Sequence, residues 1–288
     1  MRLSRLGIFG LISITFLFGA SCSYYNRIIV RKDLVDGATA YKERKFDQAE
    51  QLFRAAVGRD PQGTTVEGKA AQLFLARTLH SRFIGDRSNT ARADDAIAEY
   101  KKVLAKDIKD QSSFKAIANL LENLNKNDEA LQWVTERANN EQVPPDQRAE
   151  AFSSLASKQN TCANEISDTE ATKKTVTKDG KQIFEFVKPK EQADFDKLKK
   201  CAEDGLQLAT KATELDSNSD SAWSYKTSLL IQKMRVAEMD GNKEQQELYK
   251  KQSDEAKEKF NILSEAKRKK EEEVAAKKKA EEEAANKK

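Results

Sequence analysis

Residues 36–61 read DGATAYKERKFDQAEQLFRAAVGRDP, and the spacing of small and large side chains in that stretch decides the fold. Gly37, Ala40, Ala49 and Ala56 recur where two helices would cross closely, and Phe46 and Phe53 recur where a bulky ring would fill the gap. Helix axes approach where side chains are small, and the remaining space must be filled to interior density. Pro61 has no amide hydrogen and stops the second helix. The stretch therefore predicts two short helices packed face to face.

The same grammar returns along the chain. Ala76 and Leu79 fall on one helix and Ala96, Tyr100 and Val103 on the next, with FIGDRSNTARA as a long connection. Ala118, Leu121, Ala130 and Val134 mark a third unit, in which NKND is the turn and Asp128 the expected N-cap. QVPPDQ opens a fourth, because Pro144 and Pro145 suit a helix start. LQLATKATELDSNSDSAW closes it and begins a fifth, with Ala209, Ala212 and Trp223 at the contact positions. Trp133 and Trp223 are expected in the core, wedging helix pairs apart.

The spacing of Gly37, Ala49, Phe53, Ala56 and Pro61 resembles a tetratricopeptide repeat (TPR). The departure is Ala40, where that family often carries an aromatic residue. The resemblance is strongest in the first unit and extends over residues 30 to 262. It implies an all-α solenoid of about five helix pairs, with the first helix of each pair lining a hollow that binds protein. On that resemblance the inward candidates are Tyr41, Lys42, Arg77, His80, Lys115, Asn119 and Glu122. Lys115 and Asn119, one turn apart, are similar to the pair with which some TPR domains grip a peptide carboxylate; the alternative is a solvated helix face.

Composition agrees with helices. Charged residues make up 34% and aromatic residues 7%, with 11 glycines and 4 prolines. Strands want β-branched and aromatic residues instead. The 51 basic and 47 acidic residues leave a net charge of +4, and removing residues 1–21 takes away Arg2 and Arg5. A body this close to neutral argues against nucleic acid as a general partner.

The amino terminus sets the expected compartment. Arg2 and Arg5 precede an apolar run from Leu6 to Phe18, and Gly19-Ala20-Ser21 follows as a small-residue cleavage site. That is the layout of a secretory signal peptide, and the run is too short for a span of about 20 residues. FGASC, ending at Cys22, resembles a bacterial lipobox, with Gly19 where leucine is usual. The resemblance implies acyl chains on Cys22, and Ser23 in place of an aspartate implies the outer membrane, periplasmic face. The alternative is ordinary cleavage that leaves Cys22 free or disulfide-bonded.

Within the fourth unit, KKTVTKDGKQIFEFVKPK alternates apolar and polar residues around Asp179-Gly180. A DG pair between alternating runs predicts a β-hairpin over about residues 172–189, with Val176, Ile183, Phe184, Phe186 and Val187 on candidate buried faces. Cys162 precedes the insertion and Cys201 follows it. The antiparallel helices of one repeat would bring them together as a disulfide in an exported chain; the alternative is two separate buried thiols.

The tail, residues 263–288, is rich in alanine, lysine and glutamate, with opposite-charge pairs such as Glu265–Lys269 and Glu273–Lys277 four residues apart. It predicts a solvated helix with no apolar stripe. The expected organisation is a signal peptide (1–21), a linker after the lipidated cysteine (22–30), a TPR-like solenoid (31–262) and the charged tail.

No reactive constellation appears. His80 is the single histidine, and no phosphate loop, nucleophile elbow or zinc-protease motif is present. The paired acids Asp94 and Asp95 are expected to complement a helix dipole. The sequence thus predicts no enzyme and no cofactor. It points to a protein-binding scaffold held to a membrane through Cys22, or to an envelope spacer whose tail makes the contact.

Overall fold

The computed structural model describes residues 25–285, which form ten helices and one hairpin. Helix α1 covers residues 25–42 and is followed by α2 (Phe46–Arg59), α3 (Val66–Gly85), α4 (Thr90–Lys106), α5 (Gln111–Asn123) and α6 (Asn127–Asn139). Next come α7 (Pro145–Ser167), β1 (Lys173–Lys178), β2 (Lys181–Phe186), α8 (Gln192–Leu215), α9 (Asp220–Met239) and α10 (Lys243–Ala285). The helices form two compact units, and the boundary between Ala130 and Leu131 falls inside α6. The amino-terminal segment, with Cys22 and the expected cleavage site, lies outside the described residues. Among the described residues no helix is long and apolar enough to cross a membrane.

The turns repeat. Inside three helix pairs the chain reverses through one left-handed residue: Arg44 (φ 60°), Asn125 (φ 57°) and Gly241 (φ 70°). The next amide then reaches back to close the helix, Lys45 to Ala40, Lys126 to Leu121 and Asn242 to Ala237, each at 2.9 Å. This is the Schellman pattern, which satisfies otherwise orphaned carbonyls. Between pairs, the carbonyls of Asp60, Asp107, Asn140 and Asp216 each accept from the amide three residues on, at 2.9 to 3.2 Å. The side chains of Asp107, Asn140 and Asp216 also accept from the amide two residues on, each at 3.0 Å. Short Asp and Asn side chains favour such turns because they reach their own backbone.

In the first unit the small residues sit where the helices meet. Ala49, Phe53 and Ala56 of α2 are fully buried, and Ala40 of α1 nearly so. Val30, Ala56 and Ala71 form a cluster across α1, α2 and α3, flanked by Leu34 and Val57. In the second unit Ala156, Ala209 and Leu229 join α7, α8 and α9. Gly205 of α8 is packed against Leu229, leaving no room for a methyl group there. A buried polar chain ties α7 to α9: Gln232 donates to Asn164 Oδ1 at 2.6 Å and accepts from Ser167 Oγ at 2.9 Å.

Four expectations are corrected. Asp128 lies in the first turn of α6 rather than at its cap, because Asn125 takes the left-handed turn and the helix begins at Asn127. Asp94 and Asp95 lie in the second turn of α4, since Thr90–Ala93 join the helix, and Asp94 binds Lys126 at 2.8 Å. In α5, Ile117 and Leu120 are fully buried, while Ala118 is half-buried. Trp133 and Trp223 are half-buried rather than core. Trp223 donates Nε1–H to Ser217 O at 2.9 Å, and that bond holds the indole at the rim of its helix pair.

The hairpin forms in the expected place. Asp179 (φ 52°) and Gly180 (φ 71°) make its two-residue turn, which needs positive φ at both positions. Val176 stands opposite Ile183. The apolar faces are not covered, however: Ile183 is 38% exposed, Phe184 58% and Val187 40%. A two-stranded ribbon has no second layer of its own. Only its base reaches the helices, where Phe186 packs under Arg235 at 4.5 Å.

Helix α10 packs on α9 through buried Ser253 and Ala256. The last described tie is Lys267 to Asp220 at 3.0 Å, and beyond it the side chains through residue 283 are exposed. The helix persists there on alanine content and on pairs such as Arg268–Glu272 at 2.8 Å.

Candidate functional site

Helix α3 carries Arg77, His80, Ser81 and Ile84, spaced so that they share one face. Tyr41 at the end of α1, Arg44 in the turn, Phe46 at the start of α2 and Tyr100 of α4 close around that face. Together they line an open hollow of about 400 Å³ inside the first unit.

Its geometry is fixed by ring contacts and hydroxyls. Tyr41 meets Phe46 edge-on at 5.5 Å and Phe74 at 6.3 Å, and Phe74 stacks on the buried Phe53 at 5.5 Å. The Tyr41 and Ser81 hydroxyls share a 2.9 Å hydrogen bond that ties α1 to α3. The guanidinium of Arg77 lies 5.7 Å from the Phe74 ring centre. His80 stands edge-on to Tyr100 at 6.0 Å, with Nδ1 3.4 Å from the phenol oxygen.

The electrostatics follow from this packing. Burial pushes the His80 imidazole below its ordinary value and so favours the uncharged ring. Burial pushes the Tyr100 phenol up, with the Arg77 charge pulling weakly the other way. The charged side chains that line the hollow are Arg44 and Arg77; no carboxylate lines it among the described residues, although Asp110 of the α4–α5 turn lies close enough to act on Arg77 and Tyr100. An aromatic and aliphatic floor beneath two guanidinium groups suits an extended peptide with an apolar side chain and a negative charge.

Three of the seven candidates meet here, namely Tyr41, Arg77 and His80. Lys42, the residue after Tyr41, is exposed and does not line the hollow. Lys115, Asn119 and Glu122 are exposed on α5, which packs on α4 one helix beyond the hollow. Asn119 Oδ1 accepts from Asn123 Nδ2 at 2.9 Å. Arg44, Phe46, Ser81, Ile84 and Tyr100 were not anticipated as site residues. Ser81 and Ile84 carried a signal, since they follow His80 at one and four positions on the same face.

In the second unit, Cys162 of α7 and Cys201 of α8 form a disulfide with 6.1 Å between their α-carbons. A second hollow, of about 460 Å³, is lined by Leu206, Trp223, Lys226, Leu230, Ala256 and Lys259 among others. The Lys226 ammonium lies 5.1 Å from the Trp223 ring centre, and burial pushes its pKa down. Among the described residues no cluster of three or more potential metal ligands occurs.

No family model matches the chain, and no curated protein matches it. Among solved structures, MamA from Desulfovibrio magneticus RS-1 is 11% identical with a TM-score of 0.39, covering 83% of this chain and 96% of that one. PilF from Pseudomonas aeruginosa is 14% identical with a TM-score of 0.38, covering 84% and 99%. YrrB, described as a TPR protein with an unusual peptide-binding site, is 11% identical with a TM-score of 0.37, covering 82% and 90%. The recurring Asp and Asn turns between helix pairs, with alanines and Phe53 interlocked inside the first pair, give this chain an all-α, TPR-like helix-pair fold.

Proposed function

We propose that the protein is an exported, lipid-anchored scaffold whose α1–α4 hollow holds an extended segment of a partner protein in the cell envelope. The observation that carries the reading is the pairing of an aromatic floor, Tyr41, Phe46 and Tyr100, with the cations Arg44 and Arg77. The role is binding rather than catalysis: the hydroxyls of Tyr41 and Ser81 are tied to each other across the α1–α3 contact, and His80 is set against Tyr100. Support for the anchor comes from Cys22 directly after the apolar run and Gly19-Ala20-Ser21. The periplasmic face of the outer membrane and a part in envelope assembly belong to the same proposal.

A photocrosslinking residue at Ile84, introduced into the protein in its native envelope, tests the hollow. It should trap a discrete partner, and Arg77→Glu should weaken capture by roughly tenfold, the scale of one lost charge-assisted contact. Capture unchanged by Arg77→Glu would count against the hollow. Cys22→Ser should move the protein out of the detergent phase, and unchanged partitioning would remove the anchor.

A second reading, an envelope spacer, draws on the exposed end of α10. Deleting residues 264–288 separates the two: a scaffold keeps its partner, and a spacer loses its function.

A further inference from the structure

The hairpin presents main-chain groups that nothing in its own unit uses. Lys178 and Lys181 flank the two-residue turn and face each other. In an antiparallel ladder, bonded pairs alternate with non-bonded ones, so Val176–Ile183 and Lys174–Glu185 are bonded pairs as well. Gln182, Phe184 and Phe186 of β2 then point their N–H and C=O groups outward. Two contacts agree with this phase. The Val187 amide bonds inward to Thr172 O at 2.9 Å, and the Phe186 amide is met from outside by Glu238 Oε1 at 3.0 Å. Among the described residues no acceptor meets the amides of Gln182 or Phe184.

The side chains around this edge are unbalanced in charge. Between residues 173 and 190 there are six lysines, while Asp179 and Glu185 are the acids. Lys173 is tied to Asp168 at 2.7 Å and Lys188 to Asp240 at 2.8 Å. Lys178 and Lys181 have no ion pair among the described residues, and they are direct cross-strand neighbours. Like charges directly opposite destabilise a ribbon, and an acidic group brought between them relieves that repulsion. Lysines on an edge also repel indiscriminate pairing, which leaves acidic strands as the favoured guests.

We propose that β2 is a docking edge that takes up an extended, acidic segment of a partner protein as a third strand. The outward groups of Gln182 and Phe184 supply the main-chain hydrogen bonds. Exposed Phe184 on one face and Ile183 on the other give the incoming side chains apolar surface. A lipid surface fits less well, because the tip that would enter a bilayer is Lys178-Asp179-Gly180-Lys181 and the apolar residues lie behind it. The edge belongs to the second unit and shares no residue with the hollow, so either proposal survives the failure of the other.

The test uses the full chain and a fluorescein-labelled peptide of about ten residues alternating glutamate and valine, long enough for one strand. Saturable binding is expected. Gln182→Pro should weaken it by roughly tenfold or more, because proline removes an outward amide and spares the ladder. Thr175→Pro, at an outward position on the opposite edge, should bind as the parent does, which controls for loss of the hairpin. Lys181→Glu should reject the acidic peptide and accept its lysine–valine counterpart. Equal affinity in the parent and Gln182→Pro would overturn the proposal, as would equal losses in both proline variants. Binding to phosphatidylglycerol vesicles with neither peptide bound would also overturn it.

Discussion

Gly37 of α1 lies so close to Phe53 of α2 that a methyl group on its α-carbon would stand 2.7 Å from the ring's Cε1. Phe53 is itself fully buried, so the ring has little freedom to retreat. Gly37→Ala should therefore cost about 1–3 kcal/mol through overpacking, and Phe53→Ala about 3–5 kcal/mol through loss of the ring. Urea unfolding of the two variants measures both, and a Gly37→Ala protein as stable as the parent would show that the crossing is looser than described.

Asp60 caps the α2–α3 turn through four hydrogen bonds, from the amides of Thr64 (2.8 Å) and Thr65 (2.9 Å) and from their hydroxyls (2.9 and 2.7 Å). Burial pushes its pKa up, but the four donors prevail and hold it at about 2. The folded value is below the unfolded one. The contribution is thus complete above pH 4 and is lost as the pH falls toward 2. Asp60→Asn should flatten the acid limb of the stability profile in that window, and Asp60→Ala should cost about 1–3 kcal/mol at neutral pH. An acid limb identical to the parent's would rule out Asp60 as its source.

Cys162 and Cys201 are 39 residues apart in sequence. Closing a loop of that length restricts the unfolded chain by about 3–4 kcal/mol in the entropic account. The double Cys→Ser variant should unfold at lower urea by that amount, in the second unit and with the first unaffected. Hydrogen exchange resolved by segment distinguishes the two units.

Removing residues 268–288 should leave the urea midpoint unchanged to within about 0.5 kcal/mol, because exposed ion pairs contribute little. The side chains of residues 268–283 are exposed, and Lys267–Asp220 is retained. A large drop in midpoint would reveal packing by the tail.

What the sequence disclosed was contact chemistry between neighbouring helices. Gly37, Ala49, Phe53 and Ala56 were readable because a close crossing permits only small residues facing a large one, and their burial is complete or nearly so. The hairpin was readable because Asp179-Gly180 can hold two left-handed residues in succession. Its exposure was not, since alternation describes a ribbon without saying whether anything covers it. Trp223 misled for a related reason: an indole can pack by its face and still hydrogen-bond at a rim, as it does to Ser217. The hollow was half legible. Arg77 and His80 line it from one face of α3, but Phe46 and Tyr100 come from other helices, and periodicity along one helix does not record them.

The sulfur bridge makes residues 162 to 201 a covalent ring that carries the ribbon on its circumference. A protease that cuts the exposed turn at Lys178 or Lys181 would sever the backbone without releasing a fragment. The nicked molecule would run as one band on a gel until a reductant was added, and then as two. A cell that trims this arm would keep the clipped protein whole for as long as its surroundings stayed oxidising.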